Sequence, residues 1–190
     1  MKFKEYLREA GEGCYLLEKQ EEEMKEIIRI LKQARKENRQ VFICGNGGSA
    51  GTSIHMAADL FKMGNINAIS LNENIPLTTA IINDDGWENL YTKQLENLFN
   101  SGDVLICISV HGGKGKENAE EWSQNINKAV SYVKVNKGKV IGLTGFDGGS
   151  IKYTADVCLI VPIQSTPLVE SFHVLLHHYI AFKLYKGERI

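Results

Sequence analysis

Short apolar runs alternate with longer segments of helical periodicity along most of the chain. Five apolar runs are predicted as strands, at residues 41–44, 66–71, 104–110, 139–144 and 157–161. They are mostly continuous rather than alternating, which is typical of a parallel sheet covered by helices on both faces. Helices are predicted at residues 50–62, 76–82, 87–99, about 117–136 and 168–185. This order of elements predicts an α/β fold, a three-layer α/β/α sandwich.

The segment before the first strand is predicted as helix over residues 1–37, with an interruption expected near Gly11 and Gly13. It carries an apolar stripe at helical spacing, formed by Met24, Ile27, Ile28, Leu31 and Ala34. Such a stripe needs a surface to cover it, and a second subunit is one surface that would do so. We therefore expect a single domain over residues 1–190, with residues 1–37 packing in an oligomer.

Composition and charge exclude several functions. Hydrophobic residues make up 43% and charged residues 24% of the chain, and the formal net charge is -1. This balance gives no electrostatic footprint for nucleic acid. No apolar stretch is long enough to span a bilayer, and the polar N-terminal sequence favours a cytoplasmic location over a secretory signal. The cysteines lie far apart without CxxC spacing, which favours buried thiols over a cysteine zinc site.

The first predicted strand ends in a glycine-rich turn that leads into a helix. The turn contains Asn46, Gly47, Gly48 and Ser49. A helix N-terminus at such a turn offers free backbone N–H groups and the positive end of the helix dipole to an anion. Ser49 is placed either to cap the helix or to donate to a phosphate.

Two residues on the same predicted helix have acid/base and metal-binding chemistry. His55 and Asp59 are separated by four positions and therefore project from the same side of the helix. A phosphate site and this pair thus lie on one short element.

A second glycine-rich loop follows the third predicted strand. It contains Ser109, His111, Gly112 and Lys114. Its serine, its basic side chains and the amides of its glycines would suit a phosphate. The alternative is a turn that needs glycine only for its positive φ. Because ligands of open α/β sheets bind beyond the carboxyl ends of the strands, two such loops favour phosphate binding.

The last predicted helix is rich in histidine. It carries Glu170, His173, His177 and His178. Three histidines and a glutamate on one helix favour a metal or acid/base role over packing alone. Spacing does not decide which histidines face the site. Elsewhere, Asp84 lies in a predicted turn, where it either caps a helix or contacts sugar hydroxyls.

These motifs together resemble the sugar isomerase (SIS) domain. GNGGSA, IHMAADL, IINDDG, GDVLICIS and KVIGLTGFDGG occur in that order before the closing histidine helix. Within the superfamily the chain looks most like phosphoheptose isomerases, which convert sedoheptulose 7-phosphate to D-glycero-D-manno-heptose 7-phosphate. The resemblance implies a five-stranded parallel sheet, a homotetramer with active sites between subunits, and a bound metal, usually zinc.

The resemblance also implies roles for individual residues. The matching positions place His55, Asp59, Glu170 and His178 as metal ligands, with Asp59 and His178 as the catalytic pair. Ser49 and Ser109 match phosphate-binding serines. Our hypothesis is that Asp59 and His178 share the proton transfers, with His178 acting at the oxygen side.

Several positions depart from the family pattern. Asp59 and Glu170 stand where the family has glutamate and glutamine, and His111 and Lys114 replace serines of the second loop. These changes favour an isomerase acting on a different sugar phosphate as one alternative. A non-catalytic sugar-phosphate-binding or partner protein of the same fold is another, although the retained His55 and His178 argue against it. A dinucleotide site is disfavoured because the GxGxxG spacing fails.

Overall fold

A single parallel sheet organises the protein. The structure, a computed structural model, describes residues 2–113 and 123–185. The strands have the spatial order β2-β1-β3-β4-β5, and every neighbouring pair is parallel. The strands are β1 (Val41–Gly45), β2 (Ala68–Ser70), β3 (Val104–Ser109), β4 (Lys139–Gly145) and β5 (Val157–Val161). This sheet confirms the predicted fold class.

Helices cover both faces of the sheet. The α-helices are α1 (Phe3–Leu17), α2 (Glu21–Lys36), α3 (Gly48–Lys62), α4 (Ile75–Asp84), α5 (Leu90–Leu98), α6 (Gln124–Val135), α7 (Ile151–Thr154) and α8 (Thr166–Leu184). Helices α1, α2, α3 and α8 form one apolar core with the sheet, and α4 to α7 form the other. Among the described helices, none has the length and apolar character that a bilayer span requires.

Several boundaries differ from the predictions. The second strand is shorter, and a 3-10 turn (Trp87–Asn89) precedes α5. Helix α7 was not predicted, because four residues are too few to show a period. The described part of α6 begins at Gln124, and the preceding residues of that predicted helix lie outside the described ranges.

The N-terminal helix is interrupted later than predicted. The interruption is a 3-10 turn at Glu18–Gln20, and the expectation of a break near Gly11 and Gly13 is wrong. Gly13 lies inside α1, where an added Cβ would clash with Cδ1 of Ile163. This glycine therefore serves close packing. The break places Gln20 beside edge strand β5. The Gln20 side chain accepts a hydrogen bond from the Ile160 backbone amide at 2.8 Å and donates one to the Ile160 carbonyl at 2.5 Å.

The apolar stripe of the second N-terminal helix is covered within the protomer. Ile27, Leu31 and Ala34 are buried in α2, which packs against β5 and α8. The stripe therefore gives no reason by itself to require a second subunit. Large apolar side chains are still exposed on the outer surfaces of α1, α3 and α8. These surfaces are the reason to expect a second subunit.

A buried polar network anchors the turn between β1 and α3. The Asn72 side chain accepts from the Gly45 amide at 3.2 Å and donates to the Gly45 carbonyl at 2.9 Å, as a neighbouring strand would. The Tyr91 hydroxyl lies 2.6 Å from the Gly45 carbonyl and 2.8 Å from Oδ1 of Asn46. Asn46 and fully buried Asn125 exchange two amide hydrogen bonds, at 3.0 and 2.9 Å. The backbone of the turn is thus held from behind.

Replacing Tyr91 tests how much this network contributes. Burial raises the pKa of the Tyr91 hydroxyl, so the group stays protonated near neutral pH. In Tyr91→Phe, the oxygens of Gly45 and Asn46 lose a buried partner. We expect the free energy of unfolding to fall by about 1–2 kcal/mol, measured by urea denaturation. Tyr153→Phe is the control because that side chain is 82% exposed. Equal stability of the two variants would contradict a structural role for the network.

Candidate active site

Glycine-rich loops follow β1, β3 and β4 at the carboxyl edge of the sheet, where we expect the phosphate-binding part of the candidate site. The second and third of these loops form one unit. Gly112 and Gly149 have φ values of 59° and 55°, and an added Cβ on Gly112 would clash with the Gly148 carbonyl oxygen. The Ser150 hydroxyl donates to the Gly112 carbonyl at 3.1 Å. Glycine is therefore required here for backbone contact as well as for conformation.

The first loop presents the start of α3. Gly47 has a φ of 59°, which turns the chain sharply before the helix begins at Gly48. The first amides of an α-helix have no partner within the helix and face outward from its start. Ser49 and Ser109 are nearly buried. Within the described ranges, neither hydroxyl makes a hydrogen bond to the protein, so both are available to a ligand.

The other predicted substrate contacts have different surroundings. The Asn46 side chain is engaged in the buried network behind the turn. His111 packs its ring against Phe146, with the ring centroids 4.4 Å apart. Asp84 lies exposed at the end of α4 and accepts from the Asn83 amide at 2.7 Å. Lys114 falls outside the described residues. Substrate contacts by these four residues stay predictions.

A cluster of donor side chains lies where α3 and α8 pack together. Its members are His55, Asp59, His177 and His178, and one ligand atom from each lies within 4.8 Å of all the others. We refer to these four residues as the His/Asp cluster. Oδ2 of Asp59 lies 3.5 Å from Nε2 of His55, 3.6 Å from Nδ1 of His177 and 3.8 Å from Nε2 of His178. One carboxylate oxygen thus faces three imidazole nitrogens.

The cluster has a buried side and an open side. The His177 side chain is 0% exposed and that of Asp59 is 19% exposed. His55 and His178 are 52% and 51% exposed. A ligand would therefore approach past His55 and His178, and His177 lies at the buried end of the cluster.

The cluster fits a divalent metal ion. Zinc binds histidine nitrogen and carboxylate oxygen at about 2.0–2.2 Å, so ligand atoms around a tetrahedral ion lie roughly 3.3–3.6 Å apart. The observed distances from Asp59 are at or slightly above this range, and small side-chain rotations would close the difference. In addition, neither ring nitrogen of buried His177 has a hydrogen-bond partner among the described residues. A metal ion would satisfy such a nitrogen.

The histidines of α8 have distinct environments. Sequence analysis left open which of them face the site, and the structure brings His177 and His178 to Asp59 but leaves His173 in the core. Burial lowers the pKa of His177 to about 3, and the neighbouring His178 and His55 contribute to this lowering. Burial also lowers the pKa of His173, to about 4. Both rings are neutral at pH 7, which is the form that binds metals.

Glu170 is not part of the His/Asp cluster. Its carboxylate lies against the start of α3, where an added Cβ on Gly48 would lie 2.5 Å from Oε1. Glu170 precedes His178 by eight residues, which is roughly 12 Å along a helix axis. The two side chains of one protomer therefore reach different places. Ligation by Glu170 stays a prediction, and it would need the Glu170 of a second subunit.

Comparisons with known proteins agree with this architecture. The SIS domain profile matches residues 5–145. A phosphoheptose isomerase of Helicobacter pylori (strain ATCC 700392 / 26695) is 37% identical over 180 residues, covering 92% of this chain and 86% of the relative. One from a Nitratiruptor species is 38% identical over 154 residues, covering 78% of each chain.

Solved structures give the same result. Phosphoheptose isomerase GmhA from Neisseria gonorrhoeae superimposes with a TM-score of 0.84 at 31% identity, covering 94% of both chains. A phosphoheptose isomerase from Francisella tularensis superimposes with a TM-score of 0.86 at 23% identity, covering 97% of this chain and 98% of that one, which supports the fold. The predicted family is confirmed by the domain match, the curated relatives and the shared five-stranded fold. The chain belongs to the SIS domain family and, within it, to the phosphoheptose isomerases.

Proposed function

We propose that the protein isomerises sedoheptulose 7-phosphate to D-glycero-D-manno-heptose 7-phosphate. The observation that carries the proposal is the approach of Asp59 and His178, whose Oδ2 and Nε2 atoms lie 3.8 Å apart on two packed helices. An aldose–ketose isomerisation moves a proton between adjacent carbons, and this requires a base and an acid placed next to each other. Relatives named phosphoheptose isomerase indicate the substrate.

The two oxygens of Asp59 suit two roles. Oδ2 faces the three histidines of the His/Asp cluster. We assign Oδ1 as the base that removes the proton from carbon, since this oxygen is not the one directed at the imidazoles. His178, half exposed at the open side, donates a proton to the C2 carbonyl oxygen as the enediol forms. It then takes the proton of the C1 hydroxyl as the aldehyde forms, while Asp59 returns a proton to C2. This division lets one carboxylate serve as both ligand and base.

We propose zinc as the metal held by the cluster. His55, Asp59 and His178 are the donors shared with the resemblance, and they converge in this structure. When bound, zinc supplies positive charge beside the substrate oxygen and so lowers the cost of the charge that develops there.

The phosphate would bind at the glycine-rich loops. Ser49 near the start of α3 and Ser109 at the end of β3 offer hydroxyls that make no hydrogen bond to the described residues. The first turn of α3 also offers backbone amides. Binding energy at the phosphate then orients the sugar carbons at the His/Asp cluster. The His111–Phe146 ring contact alters the second loop relative to the family serines. This contact is the observation that favours a different sugar phosphate as a second candidate substrate.

We also propose that the active protein is a homotetramer. Large apolar side chains remain exposed on α3 and α8 near the cluster residues in sequence, namely Ile54, Phe61, Leu175, Tyr179 and Phe182. Exposed apolar surface of this kind marks interaction sites. Its position beside His55 and His178 would place the active site at a subunit boundary. A cytoplasmic location stays a prediction.

Turnover of sedoheptulose 7-phosphate tests the function. We expect mass-resolved conversion by the zinc-supplemented wild type, and a fall in kcat of about 10²–10⁴-fold in His178→Ala, because the proton-transfer group is lost. Lys183→Ala, an exposed position on the same helix, is the control and should keep full activity. Binding without turnover would contradict catalysis. Turnover of only a hexose or pentose phosphate would instead contradict the seven-carbon substrate.

Sedimentation tests the oligomer. Wild type should sediment with the mass of four chains. Phe182→Glu introduces a charge on the exposed apolar surface of α8 and should shift the protein to smaller species. Tyr153→Glu, on the opposite side of the sheet, should not. A wild-type protein that sediments as a monomer would contradict the proposal.

A further inference from the structure

His177 occupies an unusual place for a polar side chain. Its ring is fully buried, and its centroid lies 4.6 Å from that of His55 and 4.2 Å from that of His178. Nδ1 lies 3.6 Å from Oδ2 of Asp59, which is too long for a hydrogen bond. Within the described ranges neither ring nitrogen has a partner. Buried His173 shares this property, and His177 differs from it in facing three other donor side chains.

This arrangement is costly unless a ligand completes it. A buried polar group without a hydrogen bond destabilises the folded state, and native proteins rarely tolerate one without a functional reason. The neighbouring inward positions of α8, Leu176 and Ile180, are apolar and well buried. The imidazole therefore needs a reason other than packing.

We infer that His177 is a direct metal ligand, the buried member of a set with His55, Asp59 and His178. The inference rests on the proposed metal-dependent function and deepens it. Helix geometry explains the set, because His55 and Asp59 are one turn apart on α3 while adjacent His177 and His178 on α8 approach Asp59 from its buried and open sides. Within one protomer, His177 thus takes the place that the resemblance gives to Glu170.

The donor set has a consequence for the charge of the site. Zinc with three neutral histidines and one carboxylate retains a positive charge, whereas zinc with two carboxylates and two histidines is neutral. A site that includes His177 and not Glu170 therefore attracts a developing negative charge on the substrate oxygen more strongly.

Metal titration distinguishes the two donor sets. Metal-free wild type, His177→Leu, Glu170→Ala and His173→Leu would be titrated with zinc against a chromophoric chelator, and their cobalt(II) forms compared by visible absorption. We expect His177→Leu to bind zinc at least about 100-fold more weakly, since loss of even an outer partner costs 10–100-fold. Its cobalt spectrum should change in intensity and position. Glu170→Ala and the buried control His173→Leu should resemble wild type.

Thermal unfolding gives a second readout, in which His177→Leu should stabilise the metal-free protein although it weakens zinc binding. Without metal, His177→Leu should melt at a higher temperature than wild type, because an unpartnered buried imidazole has been removed. At the same zinc concentration, the melting temperature should rise less in this variant than in wild type. If His177→Leu does not fold, His177→Gln replaces it and should show the same loss of zinc affinity.

Three outcomes would overturn the inference. One is wild-type zinc affinity and an unchanged cobalt spectrum in His177→Leu. Another is a loss of affinity in Glu170→Ala as large as that in His177→Leu, because Glu170 would then be a ligand as well. The third is a wild type that binds no zinc, which would also remove the metal from the proposed mechanism. The turnover assay separates these results from failure of the isomerase function itself.

Discussion

The packing of α3 against α8 is the contact on which the candidate site depends. Gly48 meets Glu170 at the start of both helices, and Asp59 meets His177 and His178 further along, so the two helices run side by side in the same direction. The apolar core that holds them together includes Met56, Leu60, Phe172 and Leu176. Apolar burial therefore fixes the distance between the Asp59 carboxylate and the imidazoles.

The sheet and its polar network fix the other half of the site. Strand β1 ends at Gly45, where Asn72 and Tyr91 bind its backbone groups, and the chain then turns into α3 at a defined angle. The loops after β3 and β4 interlock through glycine backbones that no side chain could replace without strain. Hydrogen bonds and close backbone contacts consequently hold the loops of the proposed phosphate site in place. Preorganised amides of this kind do not need to reorganise when an anion binds.

Features that depend on local pattern could be predicted from the sequence, and features that depend on distant contacts could not. Continuous apolar runs identified the buried strands, and the four-residue spacing of His55 and Asp59 placed both on one helix face. In contrast, nothing local marks Gln20 as a partner of β5. The break in the N-terminal helix was misplaced because Gly13 is required by packing against Ile163, far along the chain. Likewise, the histidines that face Asp59 are selected by the rotation of α8 against α3, which spacing does not fix.

We place the metal and the proton-transfer chemistry at the α3–α8 contact, and the phosphate at the glycine-rich loops. The most direct measurement is a crystal structure with zinc and sedoheptulose 7-phosphate, with anomalous scattering recorded at the zinc absorption edge. The account predicts one zinc ion per chain bound to Asp59 and His178, with the phosphate at Ser49 and Ser109. Zinc bound away from Asp59, or a phosphate bound away from both loops, would contradict it.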